Sequence, residues 1–291
     1  MEERLPKGTL GGQAVIEGVM MKGPDSYSVA VRKPDKKIEV KLHQYESFGD
    51  RHKFAKVPFI RGVVSFVESL VVGMKTLSYS SSFYDEDEVE TKADRLFKDI
   101  FKEKAESVIL GFTILLSVVI AVALFMLLPA AIAEILGKWI SSHVLVAVIE
   151  GIIRLLIFLI YVVLISQMED IKRVFMYHGA EHKTINCYES GDDLTPENVA
   201  KHSRYHKRCG TSFLFIVMIV SIFVFMFITA KQMWLRFLLR LVLIPVVAGI
   251  SYEFIRLAGR SENPVVNALS KPGLWVQKLT TKEPEEEMIQ V

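Results

Sequence analysis

Cysteine is scarce in this sequence. Cys187 and Cys209 are the two in 291 residues, too few to staple a disulfide scaffold, and both are expected to be plain cytosolic thiols. An excess of charge is lacking too. The formal net charge is +2, so the basic footprint of a nucleic-acid binder is missing and no direct, sequence-specific nucleic-acid partner is expected. Residues 1–30 mix Gly, Glu and Asp and hold no apolar core before a cleavage site, so no signal peptide is expected there. No internal repeat is found.

What is abundant is apolar sequence. Hydrophobic residues make up 51% of the chain and mean hydropathy is +0.32, above the habit of soluble proteins of this length. The excess is concentrated in residues 107–168 and 211–258. Four runs within it are candidates to cross a bilayer core, which takes roughly 20 helical residues: 108–133, 144–168, 213–230 and 234–257. A backbone in lipid must satisfy its own hydrogen bonds, so these runs are expected to be helices.

Orientation follows from the basic residues in the short flanks. The linker between the first two runs holds Lys138, and that between the last two holds Lys231. The segment 169–210, in contrast, carries Lys172, Arg173, Lys183, Lys201, Arg204, Lys207 and Arg208. The N-terminal hundred residues and the C-terminal region are also rich in Lys and Arg. Both termini and the middle segment are therefore expected in the cytoplasm, with Arg236 and Arg240 toward the opposite face, where they can snorkel. The expected fold class is a mainly α membrane protein of about four transmembrane helices. It has a cytoplasmic α+β domain over 1–106, two spans over 107–168, a cytoplasmic His-rich helical hairpin over 169–210, two spans over 211–258 and a cytoplasmic tail over 259–291.

Within the first domain, residues 27–31 and 38–42 alternate as strands, with Lys33-Pro34-Asp35-Lys36 as the turn between them. The run Gly11-Gly12-Gln13-Ala14 before them reads as a tight turn, because no Gly-Lys-Ser/Thr follows to make a phosphate loop. Residues 57–77 form an apolar segment suited to an interfacial or re-entrant helix, or to a helix buried under the sheet. An acidic loop over 85–90 and an amphipathic helix over 91–106 lead to the first span. The charged stretch 283–287 is expected to be disordered.

Chemistry is concentrated in 169–210. His178 and His182 lie four apart on a predicted helix, one face of it, with Glu181 beside them. After a turn at Gly191-Asp192-Asp193, Thr195-Pro196 starts a second helix expected to present His202 and His206 as a second pair. Brought together, the pairs would suit a divalent metal: Zn first, Fe or Mn as alternatives. The string His178-Gly179-Ala180-Glu181-His182 matches H-x-x-E-H, in which two histidines hold Zn and the glutamate acts as general base. Glu253, in the fourth run, is a candidate further ligand, since an ionisable residue in a span is a functional candidate. Glu150 and Arg154 are spaced to pair.

The strings Gly11-Gly12-Gln13-Ala14-Val15-Ile16-Glu17-Gly18-Val19-Met20-Met21, His178-Gly179-Ala180-Glu181-His182-Lys183 and Arg208-Cys209-Gly210-Thr211-Ser212-Phe213 resemble those of the YqhQ-like bacterial membrane proteins, over nearly the whole chain. That resemblance implies a location in the bacterial inner membrane and a metal-dependent enzyme label, in a family otherwise of unknown function. Gln13, Glu17, His178, Glu181, His182, Arg208 and Cys209 match its strings. The leading expectation is a membrane-integral metal-dependent hydrolase. His178 and His182 are ligands, His202 or His206 completes the sphere, Glu253 is an extra ligand and Glu181 is the base. Two alternatives stand beside it. One is a non-catalytic scaffold or assembly factor with a partner in protein insertion or the ribosome machinery. The other is a membrane di-iron oxidoreductase, although its H-x-x-H-H pattern is missing. The lipid bilayer is the first expected partner, and a homo-oligomer the second.

Overall fold

The computed structural model describes residues 5–84, 105–228, 230, 232–261 and 263–291. Two compact units emerge: Met1–Tyr84 with Tyr161–Val291, and Asp85–Ile160. The acidic loop expected over 85–90 lies outside the described residues, as does nearly all of the amphipathic helix expected over 91–106.

The first unit begins with a four-stranded antiparallel meander: β1 (Gly11–Val15), β2 (Gly18–Lys22), β3 (Ser26–Arg32) and β4 (Ile38–Gln44). The glycine-rich run expected to be only a turn is itself β1, and the turn proper is Ile16-Glu17, with Glu17 at φ 49. Side chains alternate across a strand, and here both faces are used. After the one-turn α1 (Phe48–Arg51) comes α2 (Ile60–Ser81); Val15, Met20, Val29 and Val31 face α2 and bury Val72. Val19 and Ala30 face the other way, onto Tyr177 and Met288. The segment expected at 57–77 is therefore a helix under the sheet, and its first turns also pack on a long apolar helix described below.

Four more helices matter to the site: α3 (Glu169–Ser190), α4 (Pro196–Lys201), α5 (Gly210–Phe225) and α6 (Met233–Arg260). The C-terminal α7 (Pro264–Thr280) and the short α8 (Glu286–Ile289) follow. α5 packs between α6 and α7, and α6 also packs on α2. Gly249 of α6 receives Phe59, and Gly62 receives Tyr252. The segment 283–287, expected to be disordered, is ordered: Glu283 pairs with Lys183 at 2.7 Å, and Met288 is buried.

The second unit contains the helix Ala105–Val122, a π turn Ala123–Leu127, the helix Leu128–Gly137 and most of His143–Ile165. Pro129 has no N–H to give the carbonyl of Phe125, four residues before it. Arg154 Nε donates to that carbonyl at 3.0 Å, and Arg154 Nη2 donates to Glu150 at 2.9 Å. The expected i,i+4 pair is thus formed, and it repairs the proline's gap in an apolar setting.

Among the described residues, three helices are long and apolar enough to cross a membrane: Gly111–Gly137, His143–Ile165 and Trp234–Arg260. The third expected span, 213–230, is shorter than its apolar run. α5 starts at Gly210 and stops at Phe225, giving 16 residues, or about 24 Å at 1.5 Å per residue.

Candidate metal centre

The site is organised by α3. Its first turn is acidic at Glu169 and Asp170, and Gly191 closes it in the left-handed conformation at φ 92, as helix polarity and C-cap geometry favour. The expected same-face pair is formed: the His178 and His182 rings lie 4.4 Å apart, tilted by 61°.

What fixes these rings is their far side. His178 Nδ1 is 2.9 Å from the carbonyl of Thr280, and His182 Nδ1 is 2.7 Å from the carbonyl of Arg204. A carbonyl only accepts, so each Nδ1 carries the proton and donates it. In the neutral tautomer each Nε2 then presents a lone pair to the interior. This is the outer-shell arrangement by which metal-binding histidines are oriented.

The third group at this point is Cys209. Its Sγ is 3.3 Å from His178 Nε2, and ligand atoms of His178, His182 and Cys209 all lie within 4.8 Å of one another. Cys209 is also the N-cap of α5, its sulfur accepting the Thr211 N–H at 3.4 Å. Burial raises the thiol's pKa, but the adjacent His178 and His182 outweigh it and hold the pKa well below its usual range. Burial likewise opposes charge on His178, but Cys209 reverses this and raises it. Both shifts favour a thiolate beside an imidazolium in the metal-free site, and a metal ion would take the place of the Nε2 proton. Glu181 is buried and its carboxyl is pushed up by that burial, against the pull of His178 and His182.

A cavity of about 540 Å³ lies over these groups, lined among others by Gly12, Glu181, His182, His206 and Cys209. β1 forms its wall. A Cβ added at Gly12 would sit 2.7 Å from Glu181 Cγ, so the glycine is what lets the strand reach this carboxyl. Gly12→Val is therefore expected to push β1 and Glu181 apart and to destabilise the protein by about 1–3 kcal/mol. The midpoint of thermal unfolding in detergent checks this.

Of the remaining expected ligands, His206 lines the same cavity, while His202 and Glu253 lie elsewhere. α4 ends at Lys201, so His202 and His206 do not share a helical face. His202 caps α4 and meets Asp192 Oδ2 at 2.8 Å, beside Cys187. His206 is buried next to His182, with ring centroids 5.7 Å apart. Its backbone N–H and carbonyl are both engaged by Gln277, and its Nε2 faces Glu189 at 3.9 Å. Glu253 pairs with Arg61, whose Nε donates to it at 2.7 Å, and does not join the cluster. Cys209, expected to be a plain thiol, does.

The other residues of the resembling strings support the cluster from outside. Glu17 binds Arg173 at 2.5 and 2.6 Å. Gln13 packs on Gly73. Arg208 donates to Glu189 at 2.6 Å.

The donor set fits a borderline-soft divalent ion. Zn–N is about 2.0–2.1 Å and Zn–S about 2.3 Å, so the three atoms need to draw in by about an ångström or less to share one ion. Thiolate with imidazole favours Zn or Fe over Mn.

Comparison with known proteins agrees with the resemblance read from the strings. The family model described as "Protein of unknown function (DUF1385)" matches residues 57–291. The uncharacterized protein YqhQ of Bacillus subtilis (strain 168) is 38% identical over 284 residues, covering 97% of this chain and 89% of that protein. No solved structure matches. The chain belongs to the DUF1385 family of proteins of unknown function.

Proposed function

We propose that this is a membrane-integral, metal-dependent hydrolase whose ligands are His178, His182 and Cys209. The observation that carries the reading is the pair of Nδ1–H bonds to Thr280 O and Arg204 O, which aim two Nε2 atoms at the space beside the Cys209 sulfur. Three protein ligands and one open position are the pattern of catalytic Zn sites. Zn²⁺ held by these residues would supply Lewis acidity and lower the pKa of a water. Glu181, at the cavity wall, would in its ionised form take a proton from water and return it to the leaving group. Gly12 and the buried surroundings hold Glu181 in place and limit bulk water.

The reading keeps an even number of crossings. Arg208, just before α5, lies against Gly259 near the end of α6, so the two helices run antiparallel. If α6 crosses the bilayer, α5 and the residues after it return across it. Positive flanks on the same side support a cytoplasmic site and cytoplasmic termini, in the inner membrane of a bacterium.

A second chemistry draws on the 3.3 Å contact between Cys209 and His178: a thiolate nucleophile at a helix N-terminus.

Elemental analysis decides first. The wild type is expected to hold about one Zn or Fe per chain, and His178→Ala/His182→Ala none. Glu253→Gln and His202→Ala should keep the full amount. A folded, metal-supplemented wild type without metal would overturn the hydrolase reading and favour the thiol, or a scaffold role.

A further inference from the structure

A second cavity, of about 690 Å³, adjoins the first and shares Leu10, Gly11, Ser69 and Arg208 with it. Its volume is in the range of small-molecule sites, about 300–1,000 Å³. Its lining is strongly one-signed: Lys22, Lys56, Arg61, Arg208, Arg256 and Arg260 against the single carboxylate Asp50.

Three of these cations are answered one to one. Lys56 meets Asp50 at 3.0 Å, Arg61 meets Glu253 and Arg208 meets Glu189 at 2.6 Å. Lys22, Arg256 and Arg260 have no ion-pair partner among the described residues. Lys22 places its ammonium over the Tyr45 ring, 3.8 Å from the centroid, and burial lowers its pKa. Arg256 and Arg260 are one turn apart on α6, where like charges repel. Glu68 acts on Lys22 and Glu253 on Arg256 only at longer range, so three cations without a direct ion pair surround one cavity, a lining that suits an anion with several acceptor oxygens. Guanidinium groups suit phosphate in particular, through paired N–H donors.

Position narrows the ligand. Arg256 and Arg260 end the candidate span Trp234–Arg260, the level at which lipid phosphates lie. We infer that the cavity lined by Lys22, Arg256 and Arg260 binds the phosphate of a ligand whose remainder reaches the Cys209 cavity, so that the substrate class is a phosphate-bearing headgroup. This assignment rests on the hydrolase reading for the word substrate, but not for the binding.

The test uses the full chain in neutral detergent. Binding of phosphatidic acid, phosphatidylcholine and free glycerol 3-phosphate is measured by native mass spectrometry. The wild type is expected to retain phosphatidic acid over phosphatidylcholine. Arg256→Gln/Arg260→Gln should weaken that binding by roughly tenfold or more, as loss of charged hydrogen bonds implies. Arg256→Lys/Arg260→Lys, which keeps the charge and loses the paired donors, should lose less than the Gln variant, which separates lost charge from lost fold. Glycerol 3-phosphate competing as strongly as the lipid also supports the phosphate site and assigns it a soluble ligand. Equal binding by the wild type and the Gln variant, or none by either, overturns the inference. His178→Ala/His182→Ala is measured alongside: phosphate bound without metal keeps this site whatever becomes of the hydrolase reading.

Discussion

Cys209→Ser is expected to weaken binding of the divalent ion by more than about 100-fold. Loss of an outer-shell partner alone typically costs 10–100-fold, and this substitution removes a proposed ligand. A serine hydroxyl is neutral at pH 7 and a far poorer donor to Zn than a thiolate. The affinity is read by competition with a chelator of known strength, on the variant and the wild type together. Unchanged affinity would remove Cys209 from the ligand set. The same residue separates the two chemistries. If Cys209 is a nucleophile and no ion is bound, the wild-type thiolate should react with iodoacetamide well below the ordinary thiol pKa. If an ion is bound, labelling should be slow and should quicken after chelation.

Much of this was legible in the sequence, and the failures share a cause. Strict alternation located β3 and β4, and long apolar runs located three helices of spanning length. The spacing of His178 and His182 set them on one face. The spacing of His202 and His206 carried the same signal, yet the chain there is not helical beyond Lys201. Its carbonyls are taken by side chains of α3 instead. Lys183 donates to Ala200 O and His202 O, Asn186 to Ser203 O and Tyr205 O, and His182 to Arg204 O. A local pattern cannot show donors that arrive from a helix more than ten residues away. Cys209 was read as a well-placed but plain thiol for the same reason, because its partner His178 is 31 residues earlier. Glu283 and its acidic neighbours look like a solvated tail until Lys183 and the pocket for Met288 are in place.

Gly179→Ala is expected to destabilise the protein by about 3 kcal/mol and to loosen the metal site with it. Gly179 lies on α3 under the C-terminal segment, where an added Cβ would collide with the backbone carbonyl of Lys282. Backbone cannot rotate away as a long side chain can. Lys282 is moreover tied down by its own N–H, which donates to Phe175 O at 2.8 Å. Moving this segment strains the Lys183–Glu283 pair and the burial of Met288 in the same step. It also shifts the neighbouring Thr280, whose carbonyl holds His178 in its tautomer. One methyl group should therefore lower the midpoint of thermal unfolding in detergent and expose Lys278 and Lys282 to trypsin. Metal affinity should fall by about 10–100-fold, the cost of a lost outer-shell partner. Gly111→Ala is the matched control. It also adds a methyl to a helix, but with nothing within 4 Å, and should be neutral or slightly stabilising. A Gly179→Ala protein that kept its midpoint, its tail protection and its metal would mean that the C-terminal segment does not brace His178. The orientation of that ring would then have to come from α3 and Cys209 alone.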